Sequence, residues 1–420
     1  MAQPTPTVFP LRVAAGKRFL LDGAGRPFLL QGDSAWSLIA QPTDEEVEVY
    51  LQKRHAQGFN TLLVNLIEHH YSTAPPQDAA GDAPFRVPGD FGTPNEKYFA
   101  HADWVLRKAR DYGFLVLLAP AFLGYEHTNH GWYEEMHASG LDKLRAYGEF
   151  VGSRYRGYSN IVWVHGGDRD PPDKAIVNAI AEGIRETDPG SLATAECGPD
   201  GAAVEIWGGK PWLNLNTVYS WHPIFNYALA QYERPEKLPF FLIESHYEND
   251  QGIDEVRVRT QAYQAVLSGA TGQVFGNIPV WFFDGTPPFP TSLRWREQLD
   301  TEGARSMAVL QALLAPRKWW TLVPDTGRSF LVAGRGNDQQ RAVGAVASDG
   351  SFAIAYIPSP RSVVLNTRRL AGQTIAASWI DPSDGSMRRA APSGLSVLGR
   401  QLFSTPPVGR QDWLLLLESK

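Results

Sequence analysis

The stretch Asn160-Ile-Val-Trp-Val-His-Gly-Gly-Asp168 decides the fold, because an apolar run in it leads through two glycines to a carboxylate. Such a run reads as a parallel strand buried on both faces that delivers an acid to the rim of an α/β sheet. A second segment, Pro239-Phe-Phe-Leu-Ile-Glu244, has the same form. Asp168 and Glu244 are therefore the leading candidates for a catalytic pair.

Outward from these two, strand-like runs recur at Phe28-Leu-Leu-Gln-Gly, Thr61-Leu-Leu-Val-Asn-Leu66, Leu115-Val-Leu-Leu-Ala-Pro120, Leu192-Ala-Thr-Ala-Glu196, Leu213-Asn-Leu-Asn-Thr-Val218 and Thr271-Gly-Gln-Val-Phe-Gly-Asn277. Amphipathic stretches alternate with them. Thr43 and Glu46 have the spacing of a capping box, and Tyr98 to Tyr112 runs into Gly113, a helix stop. Asp173 to Thr187 and Ile253 to Ser268 read as helices in the same way. Eight β-then-α units predict an α/β fold, a (β/α)8 TIM barrel, since parallel strands need right-handed crossovers and eight close around a filled interior. An open doubly wound sheet is the rival, but no Gly-X-Gly-X-X-Gly follows the first strand.

The flanks differ. Phe9 to Phe28 carries two short apolar stretches split by Gly and Asp turn residues, which predicts a hairpin capping the larger domain. From Trp319 the pattern changes to short alternating runs between turn signals, such as Ser351-Phe-Ala-Ile-Ala-Tyr-Ile-Pro and Asp412-Trp-Leu-Leu-Leu-Leu-Glu418. An antiparallel β-sandwich is expected there. The reading divides the chain into a barrel domain with its N-terminal hairpin, residues 1–314, and a sandwich domain, residues 315–420.

Composition excludes several classes of function. A formal charge of -6 with scattered Lys and Arg predicts neither a nucleic-acid nor an anionic-membrane partner. Cys197 is the single cysteine, so no intramolecular disulfide, paired-Cys zinc site or redox motif can be built. No run approaches the length of a membrane span, and Met1-Ala-Gln-Pro-Thr-Pro-Thr lacks the regions of a signal peptide. Two compartments stay open: cytoplasmic as the chain stands, or periplasmic or secreted if a leader has been removed. Oligomeric state is not legible.

In a barrel, chemistry comes from the C-terminal ends of the strands. The residues there are polar and aromatic by turns. The expected substrate-binding set is Asp33, Trp36, Asn65, His70, Tyr125, His165, Arg169, Glu196, Tyr219, His222, Tyr247 and Trp281. Acids ringed by flat side chains, with no cofactor motif, suit cleavage of an acetal: one acid protonates the leaving oxygen and one carboxylate meets the oxocarbenium-like carbon. Glu196 also ends a strand and rivals the pair, and Glu248 rivals Glu244. No metal is expected at Glu68-His69-His70, because adjacent His side chains on a strand do not face one ion, and no cofactor is expected elsewhere. The partner expected is a carbohydrate.

Phe28-Leu-Leu-Gln-Gly-Asp-Ser-Ala-Trp36, Gly58-Phe-Asn-Thr-Leu-Leu-Val-Asn65, Gly166-Gly-Asp-Arg-Asp170, Glu244-Ser-His-Tyr-Glu248 and Gly272-Gln-Val-Phe-Gly-Asn277 together resemble the apiosidase-like glycoside hydrolases. The tail, through Trp319-Trp-Thr-Leu-Val-Pro-Asp325, Asp349-Gly-Ser-Phe-Ala-Ile-Ala-Tyr356 and Trp379-Ile-Asp-Pro-Ser-Asp-Gly385, resembles that family's usual companion, a β-sandwich named for collagen binding. The resemblance implies a retaining hydrolase with its acid/base after the fourth strand, at Asp168, and its nucleophile after the seventh, at Glu244. The sequence departs from the family at Val274-Phe275 and at Glu196-Cys197, where a His or Tyr and a His are common. The expected function is retaining hydrolysis of a plant or bacterial polysaccharide or oligosaccharide, with a pentofuranoside of the apiose or arabinofuranose type as one candidate substrate. Two other readings stand beside it: a non-catalytic carbohydrate-binding protein, and a transglycosylase on the same barrel.

Overall fold

The computed structural model describes residues 6–125, 129–391, 394–397, 399–407 and 411–420. The first five residues, on which the reading of the chain's start rests, lie outside the described residues.

Three two-residue strands, β1 (Arg12–Val13), β2 (Leu20–Leu21) and β3 (Pro27–Phe28), form the expected small antiparallel sheet. Leu11, Leu20 and Phe28 from this segment join the apolar interior of the barrel, so it plugs the end where the strands begin.

The barrel follows as predicted. Its parallel strands are β4 (Leu30–Ser34), β5 (Thr61–Asn65), β6 (Leu115–Ala119), β7 (Ile161–Gly166), β8 (Leu192–Glu196), β10 (Asn216–Tyr219), β11 (Phe240–Glu244) and β12 (Gly272–Phe275), with the two-residue β9 (Gly201–Ala202) antiparallel to β10. Strand order is β8-β7-β6-β5-β4-β12-β11-β10-β9, which leaves one seam, between β8 and β10. Backbone amides of Asn214 and Leu215 reach the Ala193 carbonyl at the bottom of that seam. Higher up it is closed by side chains, Thr194 Oγ1 donating to Leu215 O (2.9 Å) and Thr217 Oγ1 to Ala195 O (2.6 Å).

Helices α1 (Asp44–Ala56), α2 (Glu96–Asp111), α3 (Tyr133–Ser139), α4 (Leu141–Tyr155), α5 (Ala175–Thr187), α6 (Ala203–Trp207), α7 (Ile224–Glu233), α8 (Glu255–Leu267), α9 (Trp295–Gln298) and α10 (Glu302–Leu314) accompany the barrel. Thr43 and Glu46 do form the capping box of α1, each side chain bonding the other's backbone N–H. Removing such a cap costs a helix about 1 kcal/mol.

Side chains of the strands alternate between two apolar layers. Leu30, Leu63, Leu117, Val162, Val164, Phe241 and Val274 fill the barrel. Leu62, Val64, Val116, Leu118, Trp163 and Phe275 face the helices. Both faces are dry, which is why the strands read as unbroken apolar runs.

The C-terminal part is antiparallel, as expected. One sheet holds β13 (Leu322–Pro324), β15 (Val343–Ala347), β16 (Phe352–Ile357), β18 (Thr374–Ile380), β19 (Met387–Arg389), β20 (Leu395–Ser396) and β22 (Trp413–Ser419). The other holds β14 (Leu331–Ala333), β17 (Ser362–Asn366) and β21 (Arg400–Ser404). Val346, Ala355, Trp379, Leu415 and Phe403 pack between the sheets. The opposite face of the larger sheet, with Ala345, Ile354, Tyr356, Leu414 and Leu416, joins the helix-side core of the barrel. Burial on both faces accounts for the unalternating Trp413-Leu-Leu-Leu-Leu417. Among the described residues, no helix is long and apolar enough to cross a membrane.

Candidate active site

The C-terminal ends of β7, β8 and β11 bring three acids together. Asp168, Glu196 and Glu244 each place a carboxylate oxygen within 4.8 Å of the other two. Asp168 and Glu244 keep an edge open to solvent, whereas Glu196 is sealed at 1% exposure.

Two local irregularities build this cluster. Gly166 has φ +90°, and a Cβ there would stand 2.2 Å from the Glu196 carbonyl oxygen. Glycine thus lets the β7 exit lie against β8 and turn Asp168 toward Glu196. On the other side, the β10–β11 register shifts: Val218 pairs with Leu242 but Tyr219 with Glu244. The extra residue, Ile243, already fills the barrel interior, so strict alternation would send Glu244 outward. The bulge re-aims it into the mouth.

Burial raises all three carboxyls, since charge is costly where water is excluded. Asp168 is pushed up to about 6 by burial, with the Tyr219 hydroxyl opposing the shift. Glu196 is raised by burial and by the charges of Glu244 and Asp168. Glu244 is raised by burial and by Asp168, while Glu196, Tyr247 and Tyr219 act as hydrogen-bonding neighbours that favour its ionised form. Crowded carboxylates cannot all ionise, and the sealed Glu196 is the group best placed to keep a proton against Glu244. Oxygen ligands at this spacing would also admit a hard cation.

Aromatic rings wall the cleft. Trp36 Nε1 donates to the Tyr247 hydroxyl (3.1 Å), which lies 3.2 Å from Ser34 Oγ. Trp281 meets Tyr71 edge to face at 4.7 Å between centroids and Tyr247 at 6.2 Å. Tyr125 and Trp221, about 40% exposed, stand 6.5 Å apart at the rim. Asn65, inward at the end of β5, has a buried Oδ1 with no hydrogen-bond partner, and so has Trp281 at Nε1. Buried polar atoms without partners are uncommon, and these two lie at the barrel mouth.

Two expected positions point out of the barrel. Asp33 points out of the barrel: Arg54 Nε (2.7 Å) and the Tyr50 hydroxyl (2.6 Å) of α1 donate to its Oδ2, and it is fully buried. His165 also faces the helix layer, edge-on to Trp212 at 4.9 Å, and burial drives its imidazole down to about 3. Both sit one residue out of phase with the inward set. Arg169 lays its guanidinium 3.9 Å over the Tyr133 ring, and His222 is exposed beside Asp200 at 3.4 Å. His70 stacks on His130 at 3.9 Å on the rim, while His69 turns to Glu135 at 3.1 Å. Glu68 is a loop staple, its Oε1 accepting from the amides of His69, His70 and Tyr71.

The rival Glu248 is occupied structurally, accepting from Asn277 Nδ2 (2.9 Å) and from the Gly303 amide (2.8 Å) at the start of α10. Tyr71 was absent from the expected set. Its hydroxyl feels Asp168, Glu68 and Glu244, and its place just after His70 on the β5 loop was the available signal.

The family described as "Apiosidase-like, catalytic domain" matches residues 14–321, and the chain belongs to it. Residues 323–418 match the family described as "Putative collagen-binding domain of a collagenase". No curated protein matches the sequence. Among solved structures, the chain is similar to a glycoside hydrolase family 5 protein from Bacteroides vulgatus at 21% identity and TM-score 0.85, covering 98% of this chain and 95% of that one. A structure titled "Glycoside hydrolase" matches at 21% identity and TM-score 0.85, covering 99% of both chains. At such identity the likeness shows the shared fold. Fold and family together support a glycosidase.

Proposed function

We propose that the protein is a retaining glycosidase acting on a polysaccharide or oligosaccharide, with Asp168 as acid/base and Glu244 as nucleophile. The single observation that carries this reading is the approach of the two carboxylates, oxygens within 4.8 Å. Retaining enzymes hold their carboxyl groups about 5–5.5 Å apart, whereas inverting ones need roughly 6.5–9.5 Å for an intervening water.

In the first step the protonated Asp168 gives its proton to the glycosidic oxygen as the C–O bond breaks, and Glu244 forms a bond to the anomeric carbon. In the second, Asp168 takes a proton from water, the water oxygen bonds to the anomeric carbon, and Glu244 leaves as carboxylate. An acid raised to about 6 suits a donor that must be protonated in mild acid. Glu196 serves as a positioning residue: protonated, it donates toward Glu244 and fixes the nucleophile in its charged form. Tyr219 and Tyr247 do the same with their hydroxyls.

The aromatic walls favour a sugar, whose ring faces lie flat on such surfaces. A pentofuranoside, as the family name suggests, is our proposal for the unit bound against Glu244.

The test is product stereochemistry on an activated aryl glycoside. Retention is expected, with a glycosyl–Glu244 adduct trapped by a fluorosugar. Inversion, or full turnover by Glu244→Ala, would sink the proposal.

A further inference from the structure

A second concave pocket, about 220 Å³ in volume, lies at the opposite end of the barrel from the acids. It is formed where the N-terminal sheet, the C-terminal ends of α7 and α8, and the Trp319–Leu322 junction meet, at the end where the barrel strands begin. Its lining includes Lys17, Arg18, Lys237, Phe19, Tyr232 and Trp320, and no carboxylate.

Among the described residues, neither Lys17, Arg18 nor Lys237 has an ion-pair partner, although the chain as a whole carries a net charge of -6. Nearby Arg234, by contrast, is paired with Glu205 and Glu236. Arg18 is held in place from two sides. Its Nη2 donates to the Arg234 carbonyl at 2.6 Å, and its guanidinium sits 5.0 Å over the Tyr232 ring. Its Nε is buried and has no acceptor. A guanidinium fixed in place beside two unpaired ammonium groups, with no carboxylate in the lining, is a site for an anion. The rings add a flat apolar surface. Gly269 makes room for Tyr232, since a Cβ there would stand 2.3 Å from the ring.

We infer that this pocket is a second, non-catalytic site that binds an acidic saccharide. The sugar carboxylate lies among Lys17, Arg18 and Lys237, and the ring face lies on Trp320. The saccharide part rests on the glycosidase reading; the anion part rests on the three cations alone. Placed away from the cleft, the site would hold a charged polymer while the acids act on another part of it.

The experiment is calorimetric titration of the full chain at low salt with three probes: trigalacturonate, the neutral galactotriose and inorganic phosphate. Trigalacturonate is expected to bind, more weakly as salt rises, and the other two to bind at least about tenfold less well. The double variant Lys17→Glu/Lys237→Glu, both exposed residues, should lose at least about tenfold in trigalacturonate affinity with an unchanged melting temperature and unchanged turnover of a small aryl glycoside. Equal binding of phosphate would reduce the site to a plain anion site and overturn the saccharide assignment. Absent trigalacturonate binding, or binding indifferent to the charge reversal, would overturn the inference outright. Binding is read without turnover, so an inactive Glu244→Ala protein leaves this result untouched, and either reading can fail alone.

Discussion

Arg259 of α8 grips Asp412, at the start of the last sandwich strand, through two hydrogen bonds, Nε to Oδ2 at 2.8 Å and Nη2 to Oδ1 at 2.9 Å. Both side chains are buried, and the Tyr356 hydroxyl donates to the same carboxylate at 2.8 Å. Deleting one partner strands a charge where water cannot reach it. Arg259→Ala should therefore cost about 3–5 kcal/mol, read by chemical denaturation. A double variant that replaces Arg259 and Asp412 with apolar residues should recover most of the loss, and a double variant no better than the single one would contradict the account.

Asp33 makes a similar bond with Arg54 inside the barrel wall. Asp33→Asn should lower stability by a comparable amount, about 3–5 kcal/mol, while KM stays within about twofold in the folded fraction. A large rise in KM with intact stability would put Asp33 back in the cleft.

The pH profile follows from the raised acids. Asp168 must carry its proton, so kcat/KM should fall as pH rises through about 6. Because the three carboxyls titrate together, that limb belongs to the cluster. Asp168→Asn should cost about 10²–10⁴ in rate on poor leaving groups, much less on good ones, and should remove the basic limb. Stability has the same sign. A carboxyl raised from 3.8 to about 6 on folding contributes most below the lower value, and its contribution is lost as pH climbs through the higher one. Melting temperature should accordingly decline from pH 5 toward pH 8.

Glu196 separates positioning from chemistry. Glu196→Gln keeps an N–H that can donate to Glu244 and is neutral like the protonated acid, so turnover should stay within about tenfold and the acid limb should hardly move. Glu196→Ala should be several-fold worse. At neutral pH the Gln variant should also be the more stable protein, since it relieves crowded acids that burial penalises. Equal profiles for Gln, Ala and wild type would remove Glu196 from the site.

Most of the architecture was readable because eight apolar runs with turn and cap signals leave few alternatives, and each run coincides with a barrel strand. Phase was not readable. In Leu29-Leu-Gln-Gly-Asp33 both faces of the strand are dry, so apolar spacing does not say whether Asp33 points in or out, and His165 suffered from the same ambiguity. Glu244 shows the converse. Alternation alone would have turned it outward, and only the displaced register at Ile243, a property of the β10 pairing, aims it inward. The closeness of Glu196 to the other acids depends on Gly166 and on neighbours distant in sequence, which no local pattern records.

The barrel is a split ring, buttoned rather than laced along one line. Glu196 stands on one side of that split and Tyr219 on the other, and near the rim two threonine hydroxyls are the fastenings. The shared charge of Glu196 and Glu244 therefore spans the least hydrogen-bonded joint of the barrel wall, which among the described residues carries two backbone bonds, both at its foot.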